Sequence, residues 1–282
     1  MRIVRTVPEV RSAVADARKA GHRIGLVPTM GYFHEGHLAL MRRAREQAGF
    51  VVVSLFVNPT QFNDPGDLAR YPRDEARDAR LAEGTGAALL FAPEPAEIYP
   101  AGHATAVAVS GVTERLEGES RGPGHFRGVA TVVAKLFNIV RPDLALFGQK
   151  DAQQALVIRR MARDLDFPLE IEVVPTVREP DGLAMSSRNS LLSPDARARA
   201  PLLAKALSAV RSAAENGERD PGRALEAGRA ILAGGGIAPE YFEIVDAETL
   251  APVSRLGGAL LAVIAAPVGG IRLIDNAPFR VG

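Results

Sequence analysis

Five short apolar runs fix the class of fold: IGLVP (24–28), VVVSLFV (51–57), ALLFAP (88–93), DLALFG (143–148) and LEIEVVPT (169–176). Four of them are nearly continuous in apolar residues, as strands are when helices cover both faces of a parallel sheet. Segments of helical period separate them, at about 36–48, 72–83, 127–140 and 151–165. The N-terminal stretch MRIVRTVPEVRSAVADARKA adds a short strand and an amphipathic helix. Strand and helix in alternation predict an open α/β sheet with right-handed crossovers. Ligands of such sheets bind outside the carboxyl ends of the strands, so strand-end residues are the first candidates for function.

After about residue 176 the texture changes. The loop REPDGLAMSSRNSLLSP leads to a long Ala- and Arg-rich helical pattern over about 194–216. A second helix follows near 221–233 and is ended by the triple glycine 234–236. YFEIVDAETL, GALLAVIAAPV and GIRLIDN then read as three strands. The chain therefore divides near 176–185, into residues 1–176, an α/β domain, and 177–282, a smaller α+β domain with the MSSR loop at its start.

Composition narrows the function. With 34 Lys and Arg against 33 Asp and Glu, the net charge of +1 leaves no basic footprint for nucleic acid. The absence of cysteine excludes disulfides, thiolate metal ligands and thiol catalysis. No signal-peptide core opens the chain, and GGALLAVIAAPVGG is too short to span a membrane. A soluble cytoplasmic protein is the expectation.

Two of the five histidines, His34 and His37, sit where the first long strand run hands over to a helix, in TMGYFHEGHL (29–38). A helix N-terminus presents unpaired N–H groups and a positive dipole end, a seat for phosphate. Gly31 and Gly36 allow close backbone approach. Two readings stand open: His34 caps the helix and His37 packs, or both imidazoles donate to phosphate oxygens as charge grows in a transition state. Zinc is disfavoured, since the HExxH spacing is not met and no third ligand is near.

The other strand runs end similarly. VVVSLFV is followed by Asn58-Pro59-Thr60-Gln61-Phe62, and DLALFG by Gln149-Lys150-Asp151 and a helix carrying Gln153 and Gln154. Singly, each is a turn or a capped surface helix; three polar endings on neighbouring parallel strands suggest one site. Met185-Ser186-Ser187-Arg188 offers two hydroxyls and a guanidinium, suited to clamping phosphates. Arg121-Gly122-Pro123-Gly124-His125-Phe126-Arg127-Gly128 reads as a further binding loop.

Together these elements closely resemble the pantothenate synthetase (pantoate–β-alanine ligase) family. The matching stretches are PTMGYFHEGH (28–37), SLFVNPTQF (54–62), RGPGHFRGVATVVAKLFNIVRPDLALFGQKDAQQ (121–154) and MSSRNSLLSP (185–194), in the family's order. The first also resembles the HIGH signature of nucleotidyltransferases and class I aminoacyl-tRNA synthetases, with MSSR in place of their KMSKS loop. NPTQF and GHFRGVATVV narrow the likeness to one family. Tyr32-Phe33 departs from it, where a smaller residue followed by leucine is usual.

The resemblance implies a Rossmann-like sheet and an ATP-dependent ligase that condenses pantoate with β-alanine through pantoyl adenylate, releasing AMP and pyrophosphate. It implies ATP contacts from Met30, Gly31, His34, Gly36, His37, Gly148, Gln149, Lys150, Asp151, Val177, Met185, Ser186, Ser187 and Arg188. Pantoate would meet Gln61, Gln154 and Asn58, and β-alanine Gln61. His37, His34, Lys150 and Arg188 would be catalytic, and Mg²⁺ would travel with ATP near Asp78 or Asp151. A homodimer is implied as well. The rivals are another nucleotidyltransferase, which would lack Gln61, Gln154 and the second domain, and a non-catalytic nucleotide-binding module.

Overall fold

The computed structural model describes residues 1–282. The chain packs as two units, Met1–Gly148 with Gln153–Pro175, and Gln149–Ala152 with Thr176–Gly282. The short turn Gln149–Ala152 thus belongs to the second unit although its sequence neighbours belong to the first.

The first unit is built on six parallel strands: β1 (Arg2–Val4), β2 (Ile24–Thr29), β3 (Phe50–Leu55), β4 (Leu89–Phe91), β5 (Leu144–Gly148) and β6 (Glu170–Val174). Their spatial order is β1-β4-β3-β2-β5-β6, every neighbouring pair being parallel. The five apolar runs are all present as strands. Alternation explains how both faces are filled. On β5, Ala145 and Phe147 join the core formed with helices Val7–Lys19 and Pro123–Val140, while Leu144 and Leu146 join the core under helix Glu35–Gln47. That helix supplies Leu40, Met41 and Ala44 at helical spacing. Each fully buried Leu or Phe contributes about 1.5–3 kcal/mol over an exposed one.

The helix expected over 127–140 begins earlier, at Pro123. Proline suits a first helical position, where its missing N–H has no partner to lose. The glycines that suggested a binding loop at 121–128 lie instead at a helix start. Gly128 has a packing reason: a Cβ there would lie 2.5 Å from the Thr60 carbonyl oxygen and 2.8 Å from the Gln61 nitrogen.

The second unit holds an antiparallel sheet of β7 (Tyr241–Asp246), β8 (Gly258–Val268) and β9 (Ile271–Val281), in the order β7-β8-β9. Leu203, Leu207 and Val210 of helix Leu202–Glu215 pack with Phe242, Ile244 and Ile264 in its core. The single helix expected over 194–216 is two, Pro194–Arg199 and Leu202–Glu215. Pro201 lies between them and cannot donate to the preceding turn. The last strand runs on past GIRLIDN to Val281. It accommodates Pro278 because β9 is an edge strand.

Candidate active site

β2 lies at the point where strand order reverses, with β3 on one side and β5 on the other. In an open α/β sheet the ligand crevice lies at the carboxyl end of such a strand. Here Thr29 closes β2, its Oγ1 donating to the Ser54 carbonyl at 2.6 Å. The chain then turns through Gly31 and Tyr32, both at positive φ (90° and 54°). A side chain at 31 would drive into Leu55, whose Cδ1 is 2.5 Å from the position of a Cβ.

Asp78 holds this turn. One carboxylate oxygen accepts the Tyr32 N–H at 2.6 Å and the other the Phe33 N–H at 2.7 Å. Burial pushes its carboxyl above the usual range, against the pull of those two N–H groups and of Arg77. Arg77 donates to the Phe33 carbonyl at 2.9 Å and lies 5.1 Å from the centre of the Tyr32 ring. Both Asp78 oxygens are thus committed to backbone, and the metal role considered for Asp78 gives way to a scaffold role. The Tyr32-Phe33 departure is accounted for in part by packing: Tyr32 underlies a guanidinium and Phe33 is fully buried.

His34 and His37 form the start of helix Glu35–Gln47. Nδ1 of His34 accepts the Gly36 N–H at 3.1 Å, and Nδ1 of His37 accepts the His34 N–H at 3.3 Å. This is a capping box made from two imidazoles, their centroids 4.1 Å apart. A ring that accepts at Nδ1 carries its proton on Nε2 when neutral. The two readings of these histidines are therefore compatible, since capping uses Nδ1 and puts the donor N–H at Nε2.

At the end of β3 a 3₁₀ turn, Pro59–Gln61, carries Gln61. Gln61 Nε2 contacts the Met30 sulfur at 3.2 Å, which joins the β2 and β3 ends. Asn58 is 1% exposed. Its Nδ2 donates to Gln61 Oε1 (3.0 Å) and to the Gly128 carbonyl (3.2 Å), and its Oδ1 accepts from Tyr99 Oη (2.9 Å) and Thr60 Oγ1 (2.9 Å). Every hydrogen-bonding position of that amide is used, so Asn58 sets the Gln61 side chain and does not face a ligand. His125 Nδ1 is 2.9 Å from the Gln61 carbonyl.

Gly148 ends β5, and Gln154 lies in the first turn of helix Ala152–Asp164, half-buried. Its neighbour Gln153 is buried and braces residues 112–117, donating to the Val112 and Arg115 carbonyls and accepting the Glu117 N–H.

Within the second unit the Gln149–Asp151 turn is held by Asn276, as described below. Asp151 is half-exposed, 3.8 Å from Lys150 Nζ. No cluster of three His, Asp or Glu side chains could hold a metal ion. Val177 and Met185 are joined by a backbone bond of 3.0 Å from the Met185 N–H. Ser186 caps the 3₁₀ turn Ser187–Leu191 by accepting the Arg188 N–H at 3.3 Å. Asn189 Nδ2 ties that turn to the Ala184 carbonyl at 3.1 Å.

Gly128 was expected in a binding loop and not as a packing position, and Tyr99, Asp275 and Asn276 were not expected from the sequence. Only the last two left a trace, as adjacent polar residues at the end of the strand pattern GIRLIDN.

Residues 2–278 match the family described as pantoate-beta-alanine ligase. The chain is 54% identical to the pantothenate synthetase of Moorella thermoacetica over 284 residues, covering all of this chain and 99% of that one. It is 52% identical to that of Cereibacter sphaeroides, covering 98% and 99%. The crystal structure of pantothenate synthetase from Thermus thermophilus superposes with a TM-score of 0.93 at 50% identity, over 98% of this chain and 99% of that one. A Francisella tularensis pantoate-beta-alanine ligase, solved in complex with Beta-gamma ATP and β-alanine, gives a TM-score of 0.82 at 33% identity, over 98% and 97%.

Proposed function

The chain belongs to the pantoate–β-alanine ligase family, and we propose that it joins its substrates in two steps through pantoyl adenylate. It is an ATP-dependent ligase that forms the amide of pantothenate. In the first step a pantoate carboxylate oxygen attacks the α-phosphorus of ATP. The bond from that phosphorus to the bridging oxygen breaks, and pyrophosphate leaves with its electron pair. In the second step the β-alanine amine attacks the acyl carbon, the acyl–oxygen bond breaks, AMP leaves, and the amine gives up a proton.

No side chain becomes a covalent nucleophile, because the substrate supplies its own carboxylate. Catalysis is alignment and charge stabilisation. His34 and His37 donate from Nε2 to the phosphate oxygens on which charge grows. Each Nδ1 is engaged as an acceptor in the cap, so Nε2 is the atom each ring presents to phosphate, and hydrogen-bond donation is the role we assign to His37 in place of proton transfer. Lys150 and Arg188 offset charge on the leaving pyrophosphate. Met30, Gly31, Gly36, Gly148, Gln149, Asp151, Val177, Met185, Ser186 and Ser187 make the remaining nucleotide contacts. Gln61 and Gln154 read the oxygens of pantoate, Gln61 also meeting β-alanine, and Asn58 fixes Gln61. Mg²⁺ would be carried by the nucleotide, on oxygen ligands from its phosphates and water, and would offset charge on the leaving pyrophosphate. The homodimer and the cytoplasmic location implied by the sequence belong to the same proposal; no helix is long and apolar enough to cross a membrane.

The observation that carries this reading is the pair of Nδ1-anchored histidines at the carboxyl end of the switch-point strand, joined through Met30 to Gln61. ATP–pyrophosphate exchange tests it. Exchange that requires pantoate and proceeds without β-alanine supports the adenylate. Exchange without pantoate points to another nucleotidyltransferase, and none at all to a binding module.

A further inference from the structure

Asn276 is 4% exposed, in the middle of β9, and its side chain is wholly occupied by one turn. Nδ2 donates to the carbonyl oxygens of Gln149 and Lys150, each at 2.9 Å. Oδ1 accepts from Gln149 Nε2, also at 2.9 Å. Three hydrogen bonds from one buried amide thus fix two consecutive peptide groups and the neighbouring side chain. The Gln149–Asp151 turn is a single 3₁₀ turn, too short to hold its own geometry by internal bonds.

The preceding residue does the same for a second segment. Asp275 is also 4% exposed and takes Arg178 bidentately, at 2.6 and 3.0 Å. It also accepts the Asn276 N–H at 2.8 Å, which ties the two side chains into one network. Arg178 in turn donates to the Gly182 carbonyl at 3.0 Å and lies in a bridge with Ala184, closing the hairpin between Val177 and Met185. A buried carboxylate and a buried amide, side by side on an edge strand, are costly unless fully paired. Here both are paired, and both hold segments assigned to the nucleotide.

We infer that Asn276 is a positioning residue for adenylation: it acts through the Gln149–Lys150 peptide to aim the Lys150 ammonium, with Asp275 ordering Asn276 and the Val177–Met185 hairpin. The inference rests on the proposed role of Lys150. It separates two functions that a buried asparagine could have. A residue that only stabilises β9 would affect both half-reactions alike, whereas one that aims Lys150 affects the step in which pyrophosphate leaves.

The test compares wild type, Asn276→Ala, Asn276→Asp, Lys150→Ala and the double variant Lys150→Ala/Asn276→Ala as full-length enzymes. Asn276→Asp keeps the shape and replaces the two donors, so it serves if the alanine variant is poorly folded. The expected result is a fall of roughly 10–100-fold in kcat for pantoate-dependent ATP–pyrophosphate exchange, with the KM for pantoate within twofold. Amide formation from supplied pantoyl adenylate and β-alanine should stay within threefold. The double variant should be no slower than Lys150→Ala alone, because the two residues act as one. Multiplicative effects of the two substitutions, or equal losses in both half-reactions, would overturn the inference. Undiminished exchange in both Asn276 variants would overturn it too. A wild type without pantoate-dependent exchange would instead remove the functional reading beneath it.

Discussion

His34 and His37 brace each other: the His34 ring caps the helix on which His37 rides, and the His37 ring accepts the backbone N–H of His34 at 3.3 Å. Each imidazole uses Nδ1 for structure, which places the proton of the neutral ring on Nε2. Cap and catalysis can therefore be separated by substitution. His34→Asn retains a good N-cap and should keep stability within about 0.5 kcal/mol, while His34→Ala should cost about 1 kcal/mol. Both variants should lower pantoate-dependent exchange by roughly 10²–10³, as should His37→Ala. Chemical denaturation beside exchange kinetics checks this; retained exchange in His34→Asn would assign His34 to the cap alone.

Nitrogen NMR of the histidine rings gives a second check. In the neutral state both should report the Nε2–H tautomer, because Nδ1 of each is an acceptor. A doubly protonated His37 in the free enzyme would restore the general-acid role.

Gln61→Leu and Gln154→Leu should each weaken the dependence on pantoate about tenfold or more, with ATP affinity nearly unchanged, since substrate hydroxyls would be left unpaired at about 1–3 kcal/mol each. Gln61→Leu should also slow the amide step, and Gln154→Leu should not. Asn58→Ala should mimic Gln61→Leu at a distance, because it frees the Gln61 amide and strands Tyr99 Oη and the Gly128 carbonyl. Calorimetry with ATP, set beside pantoate kinetics, decides. An equal loss of ATP affinity would sink the assignment of all three.

Gly128→Ala should destabilise the first unit by about 1–3 kcal/mol, because the added methyl meets backbone at 2.5 Å and not a flexible side chain. The turn it displaces carries Gln61, so pantoate binding should fail before ATP binding does. Thermal melts with substrate titrations measure both; a variant as stable as wild type would show that the helix and turn slide apart at no cost.

Asp78→Ala should release the Tyr32 and Phe33 N–H groups and lower exchange at least tenfold, with added Mg²⁺ giving no recovery. Rescue by Mg²⁺ would return Asp78 to the metal.

The parallel sheet was legible because a strand buried on both faces reads as a nearly continuous apolar run, as VVVSLFV and DLALFG do. His34 and Gln61 stood out in the sequence because each lies a few residues past the end of such a run. Asn58 was found and its task missed: its amide looks like a ligand contact until Tyr99 and Gly128, 41 and 70 residues away, are seen to use it. Asp78 is similar, for a carboxylate's partners lie elsewhere in the chain. The break at Pro201 was visible as a residue and overridden by the helical period around it.

The partnership of Asn276 with the Gln149–Lys150 peptide spans 127 positions, and that separation has a consequence during synthesis. The six strands of the parallel sheet have all been translated by residue 174, well before β9, and domains generally fold in the order they emerge. The nascent sheet can thus offer its histidines to nucleotide while the lysine turn still waits for its clasp. Adenylating power is expected to switch on only when β9 has been translated. An unfinished chain would then bind ATP without turning it over, which spares the cell a reactive anhydride from an enzyme still under construction.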